Sequence, residues 1–307
     1  MLREKNSQIQ KFTKRAVIIE KPSGFIAVTG SLDIVQRKFF NVMIKNAKEQ
    51  LKKNYQEMSE SRWFYIKLDE LKQYLNVSEK DKNNHYYKEE LKEFKKIEVE
   101  YNLLNKDQNI KTEGISSLLS DVQFIEDLTT NEIVIKYYFS GIVYDSIKKI
   151  LDGDGIYAEL NLIIMKGLKS KYSIILYELC KDYEKVEIPE MTIEQFKKIF
   201  GIENKKSYNG SSGFINIKQR ILYPSIKELN DNPDIDFKID YKLRKSANKY
   251  THIKFIVTPK KLKQIKQSET ETEKPVNLNS LILAIPEEHR TKQLEKYLAK
   301  CLENHDA

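Results

Sequence analysis

The sequence is poor in the residues that build metal centres and disulfide frameworks. Its 307 residues include only 2 Cys and 4 His. Cys180 and Cys301 stand at unrelated spacing, and no two His residues are separated by one or by three positions. We therefore expect neither a disulfide scaffold nor a zinc site built on a His pair. The scarcity of cysteine and the lack of a signal peptide indicate a reducing cytoplasm.

Other absences concern membranes and catalysis. No apolar run approaches the roughly 18 residues that a membrane-spanning helix requires. No glycine-rich loop ends in Gly-Lys-Ser or Gly-Lys-Thr, and the DGDG segment at 152–155 lacks the oxygen ligands and distal Glu of a calcium loop. We therefore expect a protein that crosses no membrane, holds no metal or other cofactor, and is not an enzyme.

Basic and aromatic residues are abundant. Lys and Arg number 53 against 45 Asp and Glu, so the net charge is +8 and the pI is about 9.0. This excess favours a polyanionic partner. With 40% hydrophobic residues, 13 Phe and 18 Tyr, the chain can bury substantial cores. Its length suits two domains.

One short pattern occurs twice. The segment LKQYLNV (71–77) returns as FKKIFGI (196–202), with apolar and polar positions in the same order. Around each copy, the hydrophobic periods predict helix, short helix, turn, longer helix and two-stranded ribbon. That succession is typical of a winged helix. We therefore predict an α+β fold of tandem winged-helix domains related by internal duplication, followed by a C-terminal helical tail.

The predicted organisation has four segments. They are a basic N-terminal arm (1–22), a first winged-helix domain (23–152), a second winged-helix domain (153–259), and a charged linker with a final helix (260–307). The final helix is predicted from one apolar stripe, formed by Leu294, Tyr297, Leu298, Cys301 and Leu302. This stripe is expected to dock on the body of the protein or on a partner.

Local signals predict the elements of the first half. An apolar stripe predicts a helix from Leu32 to Gln50, and GFIAVTG (24–30) is typical of a short strand. Asp69 is a candidate cap for the short helix that follows, and the chain is expected to turn at Asn76. Alternation after residue 97 predicts strands that form one antiparallel ribbon.

The second half repeats these signals. Thr192 and Gln195 fit a capping box at the start of the short helix, and Gly201 suits a turn with positive φ after it. In each helix-turn-helix the first helix must brace the second, so its apolar residues are expected to face inward. These residues are Leu71, Tyr74, Leu75, Phe196, Ile199 and Phe200.

The longer helix of the second half, NIKQRILYPSIKELN (216–230), carries the strongest candidate site. One arc of its helical wheel faces the core, with Ile217, Ile221, Leu222, Ser225 and Leu229. The opposite arc has no acid and carries Asn216, Gln219, Arg220, Tyr223 and Lys227. Such side chains suit DNA, because Arg pairs with guanine, Gln or Asn with adenine, and Lys with phosphate. The alternative is an ordinary solvated face.

Two residues of this helix have alternatives of their own. Asn216, three residues before Gln219, could cap the helix instead of contacting a base. Pro224 removes one backbone hydrogen bond and frees the carbonyl of Arg220. The resulting bend either follows a DNA groove or is a tolerated packing kink, and we favour the kink.

The corresponding helix of the first half, HYYKEELKEFKK (85–96), has a mixed surface. It is expected to bury Tyr87, Leu91 and Phe94 and to expose His85, Glu89, Lys92, Glu93 and Lys96. Two acids on the outer face would repel phosphate. We therefore predict that the first domain, through Lys92 and Lys96, reads DNA less specifically than the second or divides its work between DNA and a protein partner.

The last predicted hairpin turns at RKSANK (244–249). Its cations Arg244, Lys245 and Lys249 would form a wing that reaches phosphates or a minor groove. A solvated hairpin tip is the alternative.

Several motifs in order resemble one family. KSKYSIILYELCKDY (169–183) is similar to a Lys-Ser-x-Tyr-x-x-x-Leu-Tyr-Glu-Leu helix, and IKQRILYPSIKELN (217–230) and THIKFIV (251–257) follow it. Over residues 130–260, this series resembles the replication initiator (Rep) proteins of iteron-type plasmids, which are built from two winged-helix domains. Residues 31–130 fit the first domain of that family in layout.

The resemblance implies a function as well as a fold. It implies a bacterial protein whose monomer binds tandem direct repeats (iterons) of double-stranded DNA at a plasmid origin. Bound repeats would help to open adjacent A·T-rich DNA and recruit the host replication initiator and helicase. A homodimer in equilibrium with the monomer would bind an inverted repeat in its own promoter and repress it. Base-reading positions of the family correspond to Gln219, Arg220, Tyr223 and Lys227.

Two other functions stay open at the level of sequence. A winged-helix transcriptional repressor without initiator activity is compatible with every residue named above. A rolling-circle nicking enzyme could use one of the 18 Tyr as nucleophile, but it would need a metal held by paired His, which this sequence lacks.

Overall fold

The structure is a computed structural model, and it describes residues 16–26, 32–53, 62–75, 77, 83–104, 111–210, 213–246 and 249–260. All of these residues belong to one compact unit that ends at Lys260. The predicted turn at Asn76 and the predicted C-terminal stripe (Leu294, Tyr297, Leu298, Cys301 and Leu302) lie outside the described residues.

The first half of this unit alternates helices with short strands. Its elements are β1 (Ile18–Pro22), α1 (Ile34–Lys53), β2 (Phe64–Lys67), α2 (Leu68–Gln73), α3 (Asn84–Lys96), β3 (Glu98–Leu104), β4 (Lys111–Ser117), β5 (Leu119–Glu126) and β6 (Ile133–Phe139). The helix predicted from Leu32 to Gln50 is confirmed as α1. The apolar stripe located it because its inner residues, such as Phe39, Phe40 and Met43, are fully buried.

The second half is longer and ends in a hairpin. Its elements are α4 (Gly141–Leu151), β7 (Tyr157–Asn161), α5 (Leu162–Gly167), α6 (Lys171–Asp182), β8 (Met191–Thr192), α7 (Ile193–Ile199), α8 (Gly213–Ile217), a π turn (Lys218–Leu222), α9 (Tyr223–Asp231), β9 (Phe237–Ser246) and β10 (Lys249–Pro259). None of the helices described here has the length and apolarity needed to cross a membrane.

Two three-stranded antiparallel sheets repeat one layout. In the first sheet β6 lies between β2 and β5, and in the second β10 lies between β8 and β9. Each sheet joins a short strand, which directly precedes the first helix of a helix-turn-helix, to the hairpin that follows the second helix. This repetition confirms the predicted α+β fold of tandem winged helices.

The first half has an additional hairpin. β3 and β4 form a two-stranded sheet of their own, so the prediction of a single ribbon after residue 97 is wrong. Leu118 and Leu119, where the chain passes from β4 to β5, are fully buried. Their burial draws the chain into the core at this point, and the next strand therefore joins a different sheet.

A strand precedes the place where the sequence predicts one. Ser23–Phe25 forms a 3-10 turn, so the strand predicted at GFIAVTG is wrong for its described residues. The strand is β1, which pairs antiparallel with β7. Its inward side chains are Ile19 and Lys21, and Lys21 is fully buried. A lysine at an inward position broke the apolar alternation by which strands are recognised.

The apolar residues of the two short helices face inward, as predicted. Leu71 and Leu75, at α2, and Phe196 and Phe200, at α7, are all buried. The rings of Phe196 and Phe200 stack with centroids 4.2 Å apart. After α7 the chain turns at Gly201 with φ 59°, a conformation that glycine adopts without steric cost, so the predicted turn is confirmed.

The two predicted caps have different outcomes. At α7 the capping box is confirmed, because the Gln195 N–H donates to Thr192 Oγ1 (3.1 Å) and the Thr192 N–H donates to Gln195 Oε1 (2.8 Å). At α2 the cap predicted at Asp69 is wrong. The helix begins at Leu68, directly after β2, and Asp69 lies inside its first turn, where its carboxylate pairs with Lys72 at 3.3 Å.

A buried charge cluster ties α6 to the first half. Glu178 is fully buried and accepts hydrogen bonds from Lys21 Nζ of β1 (3.0 Å), Arg37 Nη1 of α1 (2.8 Å) and Asn41 Nδ2 of α1 (2.8 Å). Burial lowers the pKa of Lys21 to about 8. Glu178 is the acid of the Leu-Tyr-Glu-Leu motif. That motif therefore has a structural role, since its acid holds three polar side chains of the first half.

Candidate nucleic-acid interface

The segment 213–231, formed by α8, the π turn and α9, is the second helix of the second helix-turn-helix, and we call it the candidate recognition helix. Its predicted inner residues Ile217, Ile221, Leu222, Ser225 and Leu229 are all buried. Because this face is in the core, the opposite face points away from the protein.

The outer face presents Arg220, a cation with no carboxylate partner among the described residues. Gln219 and Arg220 are exposed, and Tyr223 is 69% exposed. Within the described part of the chain, no carboxylate pairs with Arg220 or with the adjacent exposed Lys218. Lys218 is a basic residue of this surface that the wheel analysis missed, although it directly precedes Gln219. The face therefore offers a guanidinium, an amide and an aromatic ring at one place.

Both acids of the candidate recognition helix have hydrogen-bond partners. Glu228 is half-buried and its Oε1 accepts the backbone N–H of Lys169 (2.8 Å), which precedes α6. Asp231 pairs with Lys227 at 2.5 Å, and this hydrogen bond raises the pKa of Lys227. Lys227 is exposed but already has an anionic partner, so it is a weaker candidate for a phosphate contact than Arg220.

Asn216 does not cap the helix. The helix begins at Gly213, so Asn216 lies inside it, and its Nδ2 donates to the carbonyl of Ser207 at 2.7 Å. The alternative of a helix cap is therefore wrong. The amide nitrogen holds the preceding loop against the helix.

Pro224 is accommodated by a π turn. The backbone N–H of Tyr223 donates to the carbonyl of Lys218, five residues earlier, instead of four. Pro224 then falls in the first turn of α9, where a missing N–H costs little. The wider turn leaves three consecutive side chains, those of Lys218, Gln219 and Arg220, exposed.

The wing formed by β9 and β10 carries the three predicted cations. Arg244 Nη2 pairs with Glu190 Oε2 at 2.8 Å. Lys245 Nζ lies 4.6 Å from the ring centroid of Tyr250, which is its partner across the hairpin. Lys249 is exposed at the start of β10. The structure therefore brings the three residues into one hairpin and pairs one of them, Arg244, with a carboxylate.

The candidate residues of the first domain are paired with acids. In α3, Tyr87, Leu91 and Phe94 are buried as predicted. On the outer face Lys92 pairs with Glu89 at 2.6 Å, and this hydrogen bond lowers the pKa of Glu89. Lys96 pairs with Glu93 at 2.7 Å, and the pKa of Lys96 is raised by the same kind of bond. The positive charge of each lysine is thus partly compensated by a neighbouring carboxylate. 

Two family models match successive parts of the chain. A family model described as initiator replication protein, WH1, matches residues 18–181, and one described as initiator Rep protein, WH2, matches residues 192–257. None of the curated protein sequences matches this one.

Two solved structures are similar to the chain at low sequence identity. The chain is similar to the crystal structure of Pi initiator protein in complex with iteron DNA, with 13% identity, a TM-score of 0.50, and coverage of 78% of this chain and 96% of that chain. A crystal structure of domain 2 and domain 3 of RctB has 6% identity, a TM-score of 0.45, and coverage of 73% of this chain and 82% of that chain. The first of these similarities shows the fold.

Proposed function

The chain belongs to the family of initiator Rep proteins, whose WH1 model alone matches more than half of it, and on that premise we propose that it is a sequence-specific DNA-binding initiator of plasmid replication. The observation that carries the proposal is the outer face of the candidate recognition helix. Arg220 has no described anionic partner there. Of the two acids of the helix, Glu228 accepts the backbone N–H of Lys169, and Asp231 pairs with Lys227 of the same face.

The chemistry of this face suits base recognition. A guanidinium can donate two parallel hydrogen bonds to the O6 and N7 of guanine, and the Gln219 amide can pair in the same way with adenine. Tyr223 offers an exposed ring and a hydroxyl beside them. The wing cations Lys245 and Lys249 would contact phosphates, which position the protein without reading sequence.

The tandem arrangement supports binding of one long repeat. Two helix-turn-helix units in one compact unit would enter successive major grooves about one helical turn apart. We propose that a monomer in this way occupies each of several direct repeats (iterons) at a plasmid origin. The first domain would read DNA less specifically than the second, because the lysines of α3 are paired with acids.

The further steps follow the family. We propose that bound repeats promote opening of adjacent A·T-rich DNA and recruitment of the host replication initiator and helicase in the bacterial cytoplasm. A homodimer would repress the promoter through an inverted repeat. We assign no enzymatic step and no cofactor. Nicking of supercoiled origin DNA in the presence of magnesium or manganese would overturn that assignment.

Footprinting tests the proposal most directly. Purified protein is titrated on the DNA that flanks its own gene, at physiological salt, with Arg220→Ala as the matched control. Evenly spaced direct repeats of about two helical turns, protected by the wild type and lost in the variant, would support the initiator. A single palindrome over the promoter would instead indicate a repressor. No protection would refute DNA binding.

Permanganate reactivity tests the opening step. Permanganate oxidises unpaired thymines, so an opened A·T-rich segment beside the repeats becomes reactive on supercoiled DNA. We expect reactivity with the wild type and host initiator together, and none with Arg220→Ala. Reactivity that is equal with and without the protein would refute the opening role while leaving the DNA-binding role intact.

A further inference from the structure

Two aromatic rings connect the candidate recognition helix to the wing. Phe214 lies in α8, and Tyr250 lies at the start of β10. Their rings stack with centroids 4.4 Å apart and an interplanar angle of 30°. The Tyr250 ring is also the one that Lys245 Nζ approaches at 4.6 Å. Phe214, Tyr250 and Lys245 therefore form one continuous set of contacts, which we call the helix–wing stack.

The backbone reinforces this geometry. Tyr250 faces Lys245 across the hairpin, and the register then shifts between Tyr250 and His252. At this irregularity Thr251 Oγ1 donates to the carbonyl of Arg244 at 3.3 Å. The two strands of the wing are thus joined by cross-strand contacts on both sides of Tyr250.

We propose that Phe214 and Tyr250 are positioning residues that fix the Lys245 ammonium relative to the base-reading face, so that the wing and the candidate recognition helix engage DNA as one rigid surface. The inference rests on the proposed function and adds to it a mechanism for the phosphate contact. An isolated lysine samples many rotamers, whereas one held over a ring is ordered before it meets a phosphate.

Simple packing is the competing explanation. Phe214 and Tyr250 are both half-buried, so their removal would loosen the domain whatever they position. Packing alone predicts a loss of stability with no change in the number of phosphate contacts. Positioning predicts that a neutral substitution at Tyr250 removes an electrostatic contact, although every charged residue is still present.

The salt dependence of binding separates the two explanations. The full chain and its variants Tyr250→Ala, Tyr250→Phe, Lys245→Ala and Tyr250→Ala with Lys245→Ala are titrated on the protected duplex between about 50 and 200 mM salt. Each phosphate contact adds roughly one to the slope of log affinity against log salt. We expect Tyr250→Ala to lose about tenfold in affinity and about one in slope.

The remaining variants sharpen the result. Tyr250→Phe keeps the ring and should retain wild-type affinity and slope. Lys245→Ala should have no additional effect on slope in the Tyr250→Ala background. Phe255→Leu is the matched control. It alters a buried ring of the same strand, whose centroid lies 6.2 Å from that of the Phe196 ring, and it should leave the slope unchanged. If Tyr250→Ala does not fold, Phe214→Leu replaces it, with the same expected loss in slope.

Each outcome has a defined meaning. A wild-type slope in Tyr250→Ala, or losses of slope that add in the double variant, would overturn the positioning role and leave the proposed function standing. Failure of the wild-type protein to bind any duplex from the region that flanks its gene would overturn the proposed function itself, and the inference with it.

Discussion

The two helix-turn-helix units share an architecture and differ in how their charges are paired. In α3, Lys92 and Lys96 each pair with a Glu three positions earlier. In the candidate recognition helix Lys227 is also paired, with Asp231, but Glu228 accepts a backbone N–H before α6 and Arg220 has no described anionic partner. A winged helix is thus a scaffold, and its capacity to contact DNA depends on which of its cations are paired with acids.

The two wing hairpins differ at single positions. In the first hairpin, formed by β5 and β6, Glu132 pairs with Lys67 of β2 at 2.6 Å and Glu126 pairs with Lys88 of α3 at 2.7 Å. In the second hairpin Arg244 is likewise paired, with Glu190, but Lys245 lies against the Tyr250 ring and has no carboxylate partner among the described residues. A cation over a ring keeps its full charge available to a phosphate, whereas a paired cation must first give up its partner.

The largest expected effect comes from breaking the connection between the halves. Glu178→Ala leaves Lys21 and Arg37 buried without their carboxylate, so we expect it to lower the free energy of unfolding by about 3–5 kcal/mol. Denaturant unfolding measures this loss. Glu190→Ala is the control, because its pair with Arg244 is exposed and should contribute less than about 1 kcal/mol. Equal losses in the two variants would contradict the role of the buried cluster.

The second effect concerns base recognition. Arg220→Ala should cost about 1–3 kcal/mol of binding at one or two base positions, because a bidentate contact is lost. Lys92→Ala in α3 should cost much less and affect all sequences alike. Affinity measured on a set of single-base variants of the protected repeat tests both. If Arg220→Ala weakened specific and random duplexes equally, its base-reading role would be refuted.

The third effect concerns α6, which both halves contact. Burial raises the pKa of Asp182 from 3.8 to about 6. The folded state therefore favours the neutral acid, and its stabilising contribution is present below pH 3.8 and lost as the pH rises through 6. Asp182→Asn should stabilise the protein by about 1–3 kcal/mol at pH 7 and by much less at pH 4.

Thermal unfolding at the two pH values measures the difference. Asp154→Asn, at an exposed position in the DGDG segment, serves as the control. A gain in stability of the same size at pH 4 and pH 7 would contradict the explanation by burial.

The smallest expected effect concerns the two paired lysines of α3. Glu89→Gln with Glu93→Gln would release Lys92 and Lys96 in α3. We expect DNA affinity to rise by about threefold and the salt slope to grow by up to about two. Glu49→Gln with Glu184→Gln changes the net charge equally at pairs with Lys45 of α1 and Lys181 of α6, and is the control. A similar rise in both double variants would show that net charge matters and the position on α3 does not.

Periodicity predicted the local features well. The buried positions Ile217, Ile221 and Leu222 follow from the helical period, and the turn at Gly201 follows from the conformational freedom of glycine. The capping box of Thr192 and Gln195 spans a single turn of helix. Each of these features depends on residues that are neighbours in the chain, so the sequence contains the necessary information.

Features built from distant residues could not be predicted in this way. Lys21 reads as a surface residue of a basic arm, and only its contact with Glu178 explains its burial. The helix–wing stack joins Phe214 to Tyr250 across an intervening helix and strand. The cap predicted at Asp69 failed because β2 runs directly into α2 and sets the start of the helix.

The sequence by itself determined the tandem winged-helix fold, the family, and the inner and outer faces of its helices, because these follow from local periods and ordered motifs. Only the tertiary structure decided which charged side chains are paired within the protein and which are free of a described partner. Glu228 is directed at the backbone of Lys169, and Glu178 is placed between Lys21 and Arg37. The physical reason is that an electrostatic interaction depends on the distance between charges in space, which folding sets between residues far apart in the chain.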